Sequence, residues 1–292
     1  MSQPAPYGAV PNRDVVHGHG RARDHVWPGE FVFGYPTQHP TCADLPGLDR
    51  LSDSAPAWAR NGSLLVFRRL RQHVHFFHRF VRNIAAERGL SAELVAARLV
   101  GRWPSGAPLV HYPEKDPGHY DASDDYTFDY RPDCGDSCAA ALDPLTSAHI
   151  RKVHPRGVVS AVGNSIPSPA DTQRHRILRR GITYGRESRS TPECPLDDGR
   201  DRGLLFVAYQ SSIEEQFEFI TRRWANEPNF PEPLSGHDPI IGQAASGGDR
   251  RLHATPDGYR NPLSVDRAWV SPTGDFYGFA PGRATLAMLA GG

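Results

Sequence analysis

Two short blocks between residues 147 and 185 contain side chains that could do chemistry. The first holds His149 and Arg156, and the second holds Arg179 and Arg180. A histidine nitrogen is the commonest metal ligand in proteins, and a guanidinium keeps its positive charge at any working pH. The two blocks therefore predict a pocket for an anion or a metallocofactor. A structural histidine and a solvated arginine face remain the alternative interpretations of the same residues.

Several longer motifs, taken in order along the chain, resemble those of the dye-decolorizing (DyP-type) haem peroxidase family. They are His149-Ile-Arg-Lys152, Ile177-Leu-Arg-Arg-Gly-Ile182, the run from Gly199 to Ile213, and His237-Asp-Pro-Ile-Ile-Gly-Gln243. Supporting blocks lie at 28–36, 61–70 and 217–226, so the resemblance covers most of the chain between residues 28 and 285. A match of this extent is more specific than any one of its motifs.

The resemblance implies an α+β fold, built as a ferredoxin-like antiparallel sheet with helices on one face and long loops. Such a unit corresponds to the C-terminal haem-binding half of a dimeric α+β barrel-like fold. Residues 1–27 have no hydrophobic period, so we expect them to form a polar N-terminal arm. Residues 28–292 would then be the DyP-type peroxidase C-terminal haem-binding domain.

The resemblance also assigns the proximal side of the haem. His149 matches the family's proximal ligand, so that one of its ring nitrogens would bind the iron. The other ring nitrogen would donate to an acceptor that sets the orientation and basicity of the imidazole. Glu214 and Glu215, on the helix after the central strand, are the candidate acceptors.

On the distal side, Arg179 matches the family's catalytic arginine. Its guanidinium would donate to the peroxide oxygens and offset negative charge as the O–O bond breaks. Leu204 and Phe206 share one face of their strand because side chains alternate, and the resemblance places both on the distal wall of the haem. Three further arginines are the expected partners of the haem propionates, namely Arg151, Arg156 and Arg180.

These matches imply a peroxidase that binds haem b and uses hydrogen peroxide to oxidise dyes or phenolic substrates. The family's Gly-x-x-Asp-Gly motif, whose aspartate is the distal acid–base group, has no match, and the chain begins Met1-Ser-Gln-Pro4. We therefore expect a C-terminal portion without the N-terminal half. The alternative is a truncated, catalytically impaired member that binds haem weakly or not at all. Nothing in the sequence places a substitute such as Asp171 or His175 above the iron.

The elements that must position these residues can be predicted from hydrophobic periodicity. Residues 204–209 are apolar on both faces, which predicts a strand in the interior of a sheet. Residues 63–71 predict a strand that leads into an amphipathic helix over about 72–88, and Ser91 predicts the N-cap of a helix over 92–100. The other predicted elements are a strand at 30–35, a helix at 214–224 and a terminal strand near 275–280.

The charge and hydropathy of the chain disfavour two classes of function, nucleic-acid binding and membrane association. The chain has 33 basic and 33 acidic residues, and a formal net charge of zero disfavours nucleic acid or a membrane as a partner recruited by bulk charge. No apolar run approaches the ~20 residues that a membrane-spanning helix needs, and the N-terminus lacks a signal-peptide pattern, so we expect a cytoplasmic protein. Export is the alternative if the N-terminus is truncated and has lost its signal. The peroxidase interpretation adds hydrogen peroxide and small aromatic reductants as partners and leaves a homo-oligomer open.

Overall fold

A computed structural model gives the architecture of the chain. It describes residues 26, 28–35, 37, 55–120, 146–155, 169–231, 233–243, 250–252 and 263–291. These ranges combine a five-stranded antiparallel sheet, a two-stranded ribbon and several helices, so the fold is α+β, as the sequence predicted. Most of the predicted N-terminal arm lies outside the described residues, and the domain boundary at residue 28 stays a prediction.

The five-stranded sheet carries the distal half of the candidate site. The strands that the structure describes are β1 (Ser63–Gln72), β2 (Leu178–Arg179), β3 (Ile182–Tyr184), β4 (Gly203–Gln210), β5 (Arg250–Leu252), β6 (Leu263–Val265) and β7 (Val270–Ala280). β4 pairs with β1 on one side and with β2 and β3 on the other, which confirms the prediction of an interior strand. β7 pairs with the other edge of β1, while β5 and β6 form the separate ribbon.

In the same described ranges, the chain also forms five α-helices and one π-helical segment. The α-helices are α1 (Val74–Arg88), α2 (Ala92–Val100), α3 (His149–Val153), α4 (Pro169–Arg174) and α5 (Arg283–Leu289). The π-helical segment consists of Ile213–Glu218 and Ile220–Ala225, and it occupies the position of the helix predicted at 214–224. Among these described helices, none has both the length and the apolar character needed to cross a membrane.

The boundaries of α2 follow from its local sequence. The Ser91 hydroxyl accepts from the backbone N–H of Leu94 at 3.2 Å, as expected of an N-cap. Gly101 ends the helix in the left-handed region, with a φ of 91°. A Cβ at this position would lie 2.4 Å from Cγ1 of Ile150, so the end of α2 is packed directly against α3.

The strand predicted at residues 30–35 is wrong. Pro28–Glu30 form a single 3₁₀ turn, because the backbone N–H groups of Phe31 and Val32 both bond to the carbonyl of Pro28, at 3.0 and 2.9 Å. The N–H of Phe33 then bonds to the carbonyl of Gly62 at 2.9 Å. A distant loop therefore takes a hydrogen bond that a strand would have needed, and the apolar run from Phe31 to Phe33 did not reveal it.

The largest hydrophobic cluster supports the start of α3. It joins α1, α2 and the β5–β6 ribbon through Val81, Ile84, Ala85, Val95, Leu99, Leu252, Leu263, Val265 and Trp269. Ala148, which immediately precedes His149, is fully buried in the same cluster. Burial of each large apolar side chain contributes roughly 1.5–3 kcal/mol, so the cluster anchors the backbone from which His149 projects.

Candidate active site

His149 opens α3, and its ring is held by a buried carboxylate. Nδ1 of His149 donates to Oδ2 of Asp238 at 2.8 Å. The side chain of Asp238 has no solvent exposure, whereas 25% of the His149 side chain is exposed. Because Nδ1 is engaged in this hydrogen bond, the ring is fixed and Nε2 is the nitrogen available to a metal.

The turn after Asp238 keeps its carboxylate ionised. Oδ1 accepts from the backbone N–H groups of Ile240 at 2.8 Å and Ile241 at 2.9 Å. Desolvation by itself raises the pKa of Asp238, but attraction to His149, the hydrogen bond from His149 and the two backbone donors outweigh it, so the pKa is lowered. His149 therefore has a charged acceptor, which makes its imidazole a more basic ligand.

The prediction that Glu214 or Glu215 accepts from His149 is wrong. Both carboxylates are exposed in the first turn of the π-helical segment, where the helix dipole favours negative charge. The sequence did contain a local signal for Asp238, since an Asp before a turn often accepts from backbone N–H groups a few residues later. Its pairing with His149, 89 residues away, had no such signal.

The strand register places the distal candidates on one face of the sheet. Arg179 lies opposite Ala208 in the pairing of β2 with β4. Residues two apart in a strand share a face, so Arg179, Phe206 and Leu204 project to the same side. The ring of Phe206 contacts Phe217 of the π-helical segment, with centroids 5.9 Å apart. Arg179 is exposed at this face, but the protein around it desolvates the guanidinium and lowers its pKa.

Arg176 connects the distal strand to the proximal helix. Its guanidinium hydrogen-bonds to the ring nitrogen Nε2 of His154, the residue that ends α3. Three residues later the same chain segment reaches Arg179. The other end of α3 is held to Asp238, so the helix that carries His149 is tied both to its carboxylate and to the strand that carries Arg179.

The remaining predicted residues fall into different environments. Arg151 is fully buried in α3, while Arg180 is exposed and its guanidinium donates to the carbonyl of Arg179 at 3.2 Å. Arg156 lies outside the described residues. His175, considered as a replacement acid–base group, is buried, stacks on Phe219 at 3.6 Å between centroids and bonds to a backbone carbonyl through Nδ1. These contacts give His175 a structural role.

Comparison with known families gives this geometry a context. Residues 148–238, which span both His149 and Asp238, match the family described as Dyp-type peroxidase, C-terminal. A dye-decolorizing peroxidase of Mycena epipterygia is 34% identical over 275 residues, which cover 83% of this chain and 50% of that protein. The chain belongs to the DyP-type peroxidase family.

Solved structures of DyP-type peroxidases share the architecture. An ancestral D-type dye-decolorizing peroxidase matches with a TM-score of 0.76 and 35% identity over 98% of this chain and 60% of that one. A dye-decolorizing peroxidase in complex with 2,6-dimethoxyphenol matches with a TM-score of 0.73 and 30% identity, over 99% of this chain and 62% of that one. The chain spans about half the length of the curated relatives that it matches.

The side chains of this DyP-type chain fit a haem. Haem iron in peroxidases takes one histidine from the protein, and a carboxylate behind that histidine increases its basicity. His149 and Asp238 supply this pair, and Leu204 and Phe206 supply an apolar surface. In the part of the chain that the structure describes, no three His, Cys, Asp or Glu residues form a group that could hold a metal ion. The fit to a haem rests on the His149–Asp238 pair, which offers Nε2 as a single protein nitrogen for an iron.

Proposed function

We propose that this chain is the haem-binding part of a DyP-type peroxidase and that it holds haem b through Nε2 of His149. The observation that carries the proposal is the 2.8 Å hydrogen bond from Nδ1 of His149 to the fully buried Asp238. Histidines that bind a metal usually donate their other ring N–H to an acceptor of this kind. The haem-binding domain in this proposal extends from residue 28 to residue 292, with Arg151, Arg156 and Arg180 as candidate partners of the propionates.

Haem supplies the redox chemistry when it is bound, since its iron exchanges electrons with hydrogen peroxide and then with a reducing substrate. The chain's own residues have simpler tasks. Asp238 holds the proton on Nδ1 of His149 and thereby directs Nε2 to the metal. Arg179 donates N–H groups to a peroxide oxygen and stabilises the negative charge that develops there. Leu204 and Phe206 exclude water from the same face.

Dyes and small phenols are the proposed reducing substrates. The names of the relatives support this class, because several are called dye-decolorizing peroxidases. The structure with bound 2,6-dimethoxyphenol adds support for phenols as ligands of that protein.

A haem titration of the purified chain tests the proposal. We expect the wild type to develop a Soret band with hemin and the His149→Ala variant to lack it. His119→Ala is the matched control, because His119 is an exposed histidine, and it should bind like the wild type. A band of equal strength in His149→Ala would overturn the proposal. Hydrogen peroxide and a dye are then added, and His149-dependent binding without dye oxidation would identify the catalytically impaired alternative.

A further inference from the structure

Lys152 is a fully buried lysine one helical turn after His149. Its ammonium Nζ donates to three backbone carbonyls, those of Glu227 at 2.6 Å, Gly236 at 2.8 Å and Phe230 at a shorter distance. An ammonium has three N–H donors, so its hydrogen-bonding capacity is completely used. The ring of Phe230 also lies 5.6 Å from Nζ. A buried charge satisfied in this way costs far less than an unpaired one.

The choice of lysine at this position is itself informative. Of the 33 basic residues only two are lysines, Lys115 and Lys152, and the other 31 are arginines. Three carbonyl oxygens that converge on one point suit a compact tetrahedral ammonium, whereas a planar guanidinium spreads its donors along a fork. The geometry at this site therefore favours lysine, in a chain whose other basic residues are arginines with the single exception of Lys115.

The three carbonyls belong to the loop that carries Asp238. This loop is closed at its base, where the N–H of Asp238 bonds to the carbonyl of Ala225 at 2.9 Å. Inside it, the N–H of Gly236 bonds to the carbonyl of Pro228 at 2.7 Å. Gly236, whose carbonyl accepts from Lys152, stands only two residues before Asp238. Lys152 is thus bonded to the loop on both sides of its turn.

We propose that Lys152 is a positioning residue that holds the Asp238 loop in place through its three carbonyl hydrogen bonds and so keeps Asp238 within reach of His149. The effect on the iron rests on the proposed function, whereas the effect on the His149–Asp238 hydrogen bond does not. His149 and Lys152 lie three residues apart on α3, on neighbouring positions of one helix face. The helix α3 therefore contacts this loop at two points. His149 bonds to the carboxylate of Asp238, and Lys152 bonds to three backbone carbonyls.

Loss of the ammonium has a defined consequence for the histidine. Without Lys152, three carbonyl dipoles converge in the interior beside the negative charge of Asp238, and the loop must move to relieve their repulsion. Movement of the loop lengthens the hydrogen bond from Nδ1. The imidazole then becomes a less basic ligand, which weakens haem binding and raises the reduction potential of the iron.

Nitrogen-15 labelling of lysine in the wild-type chain gives the first test, because only two side chains are labelled. At pH 6 we expect the Lys152 ammonium to give a slowly exchanging NMR signal and the exposed Lys115 to exchange rapidly. A Lys115→Met sample assigns the two signals. Equal, rapid exchange at both lysines would overturn the proposal, and this measurement needs neither haem nor a Lys152 variant that folds.

The second test compares Lys152→Met with Lys115→Met in the haem-free chain. We expect the Nδ1 nitrogen resonance of His149, assigned with His149→Ala, to shift in Lys152→Met towards its position in Asp238→Asn. Lys115→Met should leave it unchanged. Lys152→Arg keeps the charge but not the geometry, and it should shift the resonance in the same direction. An unshifted resonance in a folded Lys152→Met chain would overturn the proposal, even if haem binding by the wild type had failed.

Haem-loaded protein provides the last readout. We expect Lys152→Met to bind hemin about 10–100-fold more weakly, the range usual for residues that support a metal ligand. Its iron–histidine stretching frequency should fall and its reduction potential should rise, as in Asp238→Asn. The double variant should shift these signals no further than Asp238→Asn alone, because both changes act through the same hydrogen bond. Additive shifts in the double variant would contradict the assigned role.

Discussion

Gln216 of the π-helical segment donates a 2.5 Å hydrogen bond to the backbone carbonyl of Arg176, three residues before Arg179. The same amide nitrogen donates to the carbonyl of Glu30 at 2.8 Å. Its oxygen accepts from the backbone N–H of Ser212 at 2.8 Å. The Gln216 side chain is almost completely buried, so one amide joins the start of the helical segment, the N-terminal turn and the distal strand.

Replacement of Gln216 by leucine should therefore destabilise the chain and displace β2. Leucine has a similar volume but leaves buried backbone donors and acceptors without partners, each at about 1–3 kcal/mol, so we expect a total loss of roughly 3 kcal/mol. Urea denaturation followed by tryptophan fluorescence measures it. Gln243→Leu, at an exposed glutamine, is the control and should change stability by less than about 0.5 kcal/mol. Equal stabilities of the two variants would contradict this role of Gln216.

Alanine variants at Gly101 and Gly106 form a matched pair that tests the contact between α2 and α3. Their φ angles are 91° and 93°, so alanine is similarly strained at both, but only at Gly101 would a Cβ meet Ile150. We expect Gly106→Ala to cost about 1 kcal/mol and Gly101→Ala a further ~1–3 kcal/mol from overpacking. Gly101→Ala should also weaken hemin binding, because Ile150 follows His149 in α3. Thermal unfolding and a hemin titration of both variants test this, and indistinguishable variants would refute it.

Arg179→Ala should separate peroxide chemistry from haem binding. If Arg179 acts as the distal donor, its loss should slow peroxide-dependent dye oxidation about 10²–10³-fold, the cost of removing one preorganised donor. Hemin affinity should change little, because the metal ligand is untouched. Arg222→Ala is the control, since Arg222 is 72% exposed and forms an ion pair with Glu218 on the helix surface. Initial rates at saturating haem give the answer, and a rate close to wild type in Arg179→Ala would exclude Arg179 from this role.

The parts of the fold that the sequence predicted are those set by local rules. Ser91 and Gly101 set the two ends of α2 through contacts within one helical turn. The apolar residues of β4 likewise indicate, from the local sequence alone, a strand in the interior of the sheet. The turn at residues 30–35 depends instead on the carbonyl of Gly62, which lies 29 residues from its donor Phe33. The 3.6 and 2.0 residue periods carry no information about such pairings.

In the candidate site, too, features set by the local sequence could be predicted and features set by long-range contacts could not. His149 and Arg179 could be proposed from a family resemblance carried by contiguous motifs, and side-chain alternation along β4 placed Leu204 and Phe206 on one face. Asp238 and Lys152 both lie within motifs that the sequence displays, yet their roles come from a loop folding back onto α3. Two exposed glutamates, Glu214 and Glu215, were the more obvious acceptors only because they sit closer along the chain to the central strand.

From the ion pair of Asp198 with Arg202 we predict how the free energy of unfolding changes with pH in the acidic range. The hydrogen bond from Arg202 is the main cause that lowers the pKa of Asp198 from 3.8 to about 2, and Arg202 also donates through Nε to the carbonyl of Arg186 at 2.9 Å. The folded state binds this proton less readily than the unfolded state. The stabilisation is therefore complete above about pH 4 and is lost as the pH falls through about 2.

Comparison with Asp198→Asn isolates that contribution. We expect the wild type to be the more stable protein at pH 6 and the difference to shrink between pH 4 and pH 2, because a protonated Asp198 and the asparagine that replaces it offer Arg202 similar neutral acceptors. The exposed Asp266 supplies the control, and Asp266→Asn should follow the wild type at every pH. Urea denaturation at intervals from pH 6 to pH 2 measures the three curves. A wild-type advantage over Asp198→Asn that stays constant down to pH 2 would show that the 186–202 loop is held by other contacts.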